Sequence, residues 1–174
     1  MLKFAYASFT HRSSRWLFPL LMGVLFASNG AISSAEASSV KPLVEVYKSP
    51  SCGCCNEWIK HLQANGFEVK AFDKGNNAMR KELGMPLKYG SCHTGKVDGY
   101  AIEGHVPARE IHRLLKEKPK AIGLSVPEMP IGTPGMDTPE YGGQVDPYQV
   151  LLIRKDGSSA VYQAYTEQKN PGRR

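Results

Sequence analysis

Residues 43–72 read LVEVYKSPSCGCCNEWIKHLQANGFEVKAF, and this stretch decides the fold. Leu43 to Tyr47 alternates and is rich in β-formers, which predicts a strand. Ser49-Pro50-Ser51 then marks a turn. A helix is expected to begin near Cys52, because Cys55, Trp58, Ile59 and Leu62 stand at i, i+3, i+4 and i+7 and share one apolar face. Asn65-Gly66 supplies its stop. Phe67 to Phe72 alternates again, so the whole stretch is a βαβ unit with a cysteine-rich turn where strand meets helix.

Downstream, a short helix is expected over Asn77 to Leu83, stopped by Gly84 before Pro86. Lys88 to Val106 carries Cys92-His93 and reads as an inserted Cys/His loop with one or two short strands. Pro107 to Lys118 predicts a helix with Pro107 in its first turn and Ile111, Leu114 and Leu115 as its buried stripe. Gly123 to Asp146 is expected to be a long Gly/Pro/Met loop carrying Met129 and Met136, and loops of that length usually have a function. Tyr148 to Ile153, the Asp156-Gly157 turn and Ala160 to Tyr165 predict a C-terminal β-hairpin. The expected fold class is α/β, a thioredoxin-like βαβ core plus this hairpin. In such a fold a proline, often cis, precedes the third strand and faces the cysteine turn. Pro147 is the first candidate and Pro107 the second.

The N-terminus has a separate logic. Lys3, His11, Arg12 and Arg15, an apolar run from Trp16 to Ala27 and a small-residue stretch from Ser28 to Ser39 follow in the order of a secretory signal peptide. A cut after Ala35 places Ser33 and Ala35 at the small-residue positions and leaves residues 36–174 as one domain, expected in the periplasm. The apolar run of 12 residues is short of the roughly 20 needed to span a bilayer, so no membrane attachment is expected after cleavage. The 174-residue chain has 22 Lys and Arg against 16 Asp and Glu, a formal charge of +6. Loss of Lys3, Arg12 and Arg15 would lower that to +3. With no basic stripe interleaved with aromatics, a nucleic-acid partner is not expected.

All four cysteines lie beyond residue 35. Cys52, Cys54 and Cys55 sit at a predicted helix N-terminus, where free N–H groups and the helix dipole favour thiolate, the form that attacks or binds metal. Cys52 and Cys55 alone would make a dithiol redox pair or a plain disulfide. A third thiol beside a redox pair invites mispairing, and Cys92 is placed to fold back and complete a set of four. Thiolates select soft metals. Zinc prefers separated ligand pairs around one ion, whereas Cu(I) accepts low coordination and bridging thiolates. His93, His105, Met129 and Met136 are candidate additional ligands, each weighed against an ordinary packing role. Met79 and Met85 are expected in the core, and His61 and His112 on the surface.

Tyr47 to Cys55 with Trp58 and Gly66-Phe67-Glu68-Val69, then Ser91-Cys92-His93-Thr94 and Tyr100 to Ala108, carry a resemblance. It continues through Gly123-Leu124, Val126-Pro127, Met129-Pro130, Gly132, Pro134-Gly135-Met136 and Asp146-Pro147-Tyr148. These motifs resemble the periplasmic CxCC metal-binding family, whose copper-resistance members are called CopG-type. The resemblance implies a thioredoxin-like fold and a multinuclear copper cluster, with Cys52, Cys54, Cys55 and Cys92 as its sulfur ligands. The expected function is Cu(I) binding for copper resistance or handling, with Cu(I)/Cu(II) redox activity as an enzymatic extension. Copper ions are the expected ligand, and a copper efflux or chaperone protein is the candidate partner. The competing function is a thiol–disulfide oxidoreductase using Cys52 and Cys55.

Overall fold

The computed structural model describes residues 40–166. The expected signal peptide over residues 1–35 lies outside the described residues. Seven strands form one mixed sheet: β1 (Leu43–Lys48), β2 (Glu68–Phe72), β3 (His93–Val97), β4 (Tyr100–Glu103), β5 (Ala121–Ser125), β6 (Tyr148–Arg154) and β7 (Ser159–Tyr165). Their spatial order is β2-β1-β3-β4-β5-β6-β7. The pairs β1–β2 and β4–β5 are parallel and all others antiparallel. Three helices pack on the sheet: α1 (Gly53–Ala64), α2 (Asn77–Glu82) and α3 (Ala108–Glu117).

Strand alternation sorts the core into two layers. Val44 and Val46 of β1, Ile102 of β4 and Leu124 of β5 face Trp58 and Leu62 of α1 and Ile111 and Leu114 of α3, all fully buried. Ala101, Ile122 and Ile153 point to the other face, where Met85 and Tyr89 cover them. Trp58 is the keystone of the first layer. Its ring lies against Gly95 so closely that a Cβ there would stand 3.4 Å from Cη2, and its indole N–H donates to the Val106 carbonyl at 2.9 Å. Met79 and Met85 are buried as expected.

Regular elements appear where periodicity places them, with one exception. Ala121–Ser125 is a buried central strand, although its second half was expected to open the long loop at Gly123. A strand covered on both faces shows no alternation, and Gly123 sits at an irregularity in the β5–β6 register, where a side chain would overlap the Ala101 carbonyl. Irregular chain therefore begins at Val126, not Gly123, and is interrupted by a 3-10 turn at Pro139–Tyr141. The expected Cys/His segment contains two short strands: Val97-Asp98-Gly99-Tyr100 closes β3 onto β4 with positive φ at Asp98 and Gly99, a type I′ hairpin.

The proline expectations need correction. No cis peptide bond occurs among the described residues. Pro107 is the N-cap of α3 rather than part of its first turn, and Pro147 precedes β6. The segment that faces the cysteine turn is Pro134–Gly135 from the long loop. Gly135 has φ +90°, and a Cβ there would lie 2.7 Å from the Cys54 carbonyl oxygen and 2.8 Å from the Trp58 amide nitrogen. Only glycine combines that backbone angle with that approach.

The C-terminal hairpin is held to α3 by polar and aromatic contacts. Tyr165 donates to the buried Glu110 carboxylate at 2.7 Å, and the Arg113 guanidinium lies 3.9 Å from the Tyr162 ring centroid. Tyr165→Phe is expected to destabilise the fold by about 1.5 kcal/mol, the lower end for a hydrogen bond to a charged group. Urea denaturation checks this.

Candidate metal centre

Cys52, Cys54, Cys55, Cys92, His93 and His105 converge on one end of the sheet. The last residue of β1, Lys48, pairs with the first of β3, His93, and Thr94 pairs with the last of β4, Glu103. The turn after β1 leads into α1, Cys92 directly precedes β3, and His105 lies two residues beyond β4. In open α/β sheets the carboxyl ends of the parallel strands are the usual place for ligands.

Sγ atoms of Cys52, Cys54, Cys55 and Cys92 all lie within 4.8 Å of one another. A second group of donors, Cys92, His93 and His105, meets the same limit. Cys92 belongs to both. Cys52 and Cys55 are joined as a disulfide, while Cys54 and Cys92 are free thiols. The Cys54 sulfur is 3.6 Å from that of Cys52. Cys92 Sγ stands 3.3 Å from His93 Nδ1 and 3.3 Å from His105 Nε2.

Hydrogen bonding sets the histidine that matters most. His105 Nδ1 is 2.8 Å from the Pro134 carbonyl, which can only accept, so Nδ1 carries the proton and Nε2 keeps its lone pair toward Cys92. His93 is fully buried under the Trp58 ring, with ring centroids 4.2 Å apart, and its Nε2 has no hydrogen-bond partner among the described residues. Burial lowers the pKa of both, His93 furthest, helped there by the neighbouring His105. Both are therefore neutral imidazoles, the form that binds metal. Burial pushes the Cys92 thiol up to about 12, with the Cys54 sulfur adding to it. A bound cation would reverse that balance and draw the thiolate out.

His61 departs from the surface role expected of it. It is half-buried, and its Nε2 accepts the Ala108 amide at 3.0 Å, capping α3 where Pro107 has no side-chain donor or acceptor. Burial lowers its pKa too, against the opposing charge of Asp137. His112 is exposed as expected, stacked on Phe67 at 4.2 Å. Three histidines thus resist protonation in the fold and accept it when unfolded. Stability of the metal-free protein is expected to decline as pH falls below about 6.5, by at most about 1.4 kcal/mol per pH unit per histidine. Denaturation curves at about pH 7.5 and about pH 5.5 test the sign, and His93→Gln is expected to flatten the difference.

A polar network on the far face positions Cys92. Glu103 Oε1 accepts Arg80 Nε at 2.9 Å, Arg80 Nη2 at 2.7 Å and the Ser91 amide at 2.7 Å, and Oε2 accepts the Thr94 hydroxyl at 2.7 Å. Arg80 Nη2 also donates to the Ser91 carbonyl at 2.6 Å. Burial pushes the Glu103 carboxyl up, and Arg80, Thr94 and Ser91 pull it back. Sequence reasoning missed this pair, because residues 23 apart on a helix and a strand leave no spacing signal.

The two candidate methionines lie in the long loop. Met136 is buried, and its sulfur accepts the Tyr141 hydroxyl at 3.6 Å. Met129 is 47% exposed at the rim of an open cavity of about 380 Å³ whose lining includes Cys92.

The donor groups consist of sulfur and imidazole nitrogen with no carboxylate, a set that suits a soft cation. Fold and site together define a mixed α/β protein with a cysteine–histidine cluster capable of holding a soft metal ion. The copper resistance protein CopG, solved in two forms, superposes on this chain. Form 1 is 41% identical with a TM-score of 0.68, covering 74% of this chain and 100% of its own. Form 2 is 42% identical with a TM-score of 0.67, covering 72% and 99%. The chain belongs to the CopG copper resistance protein family. Residues 89–136 also match a family described as a protein of unknown function, DUF411. Among curated proteins none matches.

Proposed function

We propose that this is a periplasmic Cu(I)-binding protein, acting in copper resistance or handling, that holds copper in a thiolate cluster on a thioredoxin-like scaffold. The convergence of four sulfurs within 4.8 Å carries the proposal, and the copper resistance relatives at 41–42% identity support it. In the reduced protein Cys52, Cys54, Cys55 and Cys92 supply the thiolates for more than one ion. His105 Nε2 and His93 complete the donor set, with Met129 and Met136 as exchangeable soft ligands in the loop above. Interconversion of Cu(I) and Cu(II) belongs to the same reading, and a copper efflux or chaperone protein is the partner to which the cargo passes.

The reduced protein, loaded anaerobically with Cu(I), is expected to retain more than one copper per chain by elemental analysis, with all four thiols protected from titration. Cys54→Ser is expected to lose stoichiometric copper. A second reading, thiol–disulfide oxidoreductase, is favoured by the Cys52–Cys55 disulfide. It requires insulin reduction that survives Cys54→Ser. That result, with no copper retained, would replace the first reading.

A further inference from the structure

Helix α3 carries Arg109, His112, Arg113 and Lys116 at i, i+3, i+4 and i+7, and all four are exposed, so they form one basic face. Its two arginines are held in place. Arg109 Nε donates to Glu110 at 2.9 Å and Nη2 to the Tyr165 hydroxyl at 3.1 Å, while Arg113 Nε donates to Glu117 at 2.8 Å and Nη1 to the Tyr162 carbonyl at 3.2 Å. Each guanidinium also lies over a tyrosine ring, that of Tyr165 at 5.7 Å and that of Tyr162 at 3.9 Å. Both keep N–H donors to spare, and a guanidinium already fixed loses little freedom when it meets a carboxylate. At the N-terminal end of this face is an open cavity of about 390 Å³. Pro107, Pro134, Val145 and Tyr148 give it apolar walls, and His61 and Arg109 line it as well. His61 Nε2 accepts the Ala108 amide, so the neutral ring carries its proton on Nδ1, which has no hydrogen-bond partner among the described residues. The loop side of the cavity has the opposite charge: residues 126–147 include Glu128, Asp137, Glu140 and Asp146 and no Lys or Arg.

From this arrangement we infer that the α3 face and its cavity dock an acidic segment of a partner protein, with carboxylates on Arg109, Arg113 and Lys116 and one apolar side chain in the cavity. The inference rests, for the partner's purpose, on the reading above that copper passes to a protein. A membrane surface fits less well, because a helix that lies on a bilayer turns large apolar side chains outward. Among the described residues no large exposed hydrophobic lies on α3. The charge of the loop sets the orientation: the acidic run lies along α3, away from Asp137 and Asp146. The position also suits a transfer partner. Pro134, in the cavity wall, is the residue whose carbonyl fixes His105, and Gly135, next to it, approaches the Cys54 carbonyl. A side chain seated in the cavity therefore touches the segment that covers the metal centre.

The metal-free full chain, isotope-labelled, is titrated with a capped peptide of one Phe followed by a run of Glu, and backbone amide shifts are followed by nuclear magnetic resonance. The expected result is saturable shifts centred on Arg109 to Lys116 and on Val145, with an affinity that falls as salt rises. Replacing the peptide's Phe by Gly is expected to weaken binding about tenfold. Lys116→Glu is expected to weaken it about fivefold. Among the described residues Lys116 forms no ion pair, so this variant leaves intact the contacts that hold α3. Equal binding of a peptide of Phe and Lys, shifts that fall elsewhere, or no effect of Lys116→Glu would overturn the inference. So would the same shifts produced by phosphatidylglycerol vesicles in place of the peptide, or by raising the protein concentration alone, which would make a membrane or a second copy the occupant. Cu(I) retention is measured on the same preparation. Peptide binding with no copper retained sinks the copper reading and leaves the docking surface standing, whereas retained copper without peptide binding removes only the docking surface.

Discussion

Glu103→Ala is expected to cost about 3–5 kcal/mol of stability, the range for stranding one partner of a buried ion pair. Arg80 has a side chain only 8% exposed and takes both of its hydrogen bonds to Glu103 through the same oxygen. Without the carboxylate its charge stays buried, and the Ser91 amide and Thr94 hydroxyl lose their acceptor as well. Urea denaturation measures the loss. An Arg80→Met, Glu103→Leu double variant should recover most of it, because apolar residues of similar volume need no partner. The recovered fold would still lack the ties on Ser91, so the double variant is expected to bind Cu(I) more weakly than the parent protein. A double variant no more stable than Glu103→Ala would show that the pair contributes more than the desolvation it costs.

Cys92→Ser is expected to weaken Cu(I) binding at least about 100-fold, since loss of an outer-shell partner alone costs 10–100-fold and Cys92 is a donor in both groups. Competition against a Cu(I) chelator reads the affinity. His105→Ala touches only one group and is expected to cost less, about tenfold. Equal losses in the two variants would mean that Cys92 does not bridge. The serine is a near-isostere at a half-buried position, so denaturation curves of the metal-free proteins should nearly coincide. That coincidence separates lost ligation from lost folding.

Cys52, Cys54 and Cys55 were legible because a strand, a turn and an amphipathic helix follow one another within residues 43–64. Local periodicity decides such units, and it places the thiols at a helix N-terminus without further information. Cys92 was legible as a candidate for the same set. The C-terminal hairpin was equally plain from its Asp156-Gly157 turn. Strand β5 is missing from the sequence reading because Gly123 looks like the start of a loop, while in the sheet it permits a close backbone approach to Ala101.

The sequence by itself determined the donor chemistry: four thiols and a few imidazoles in a chain with a βαβ core. Tertiary structure alone decided which donors meet and in what state. Antiparallel pairing of β3 with β1 puts His93 beside Lys48, and pairing with β4 puts Thr94 beside Glu103, so one face carries the imidazole and the other the ion pair that holds Ser91. The Pro134 carbonyl, 29 residues from His105, chooses the tautomer. Burial keeps both histidines neutral, and Trp58 packs over the His93 ring. Register, desolvation and long-range hydrogen bonds arise from contacts between segments far apart in the chain, and a one-dimensional pattern carries no record of them.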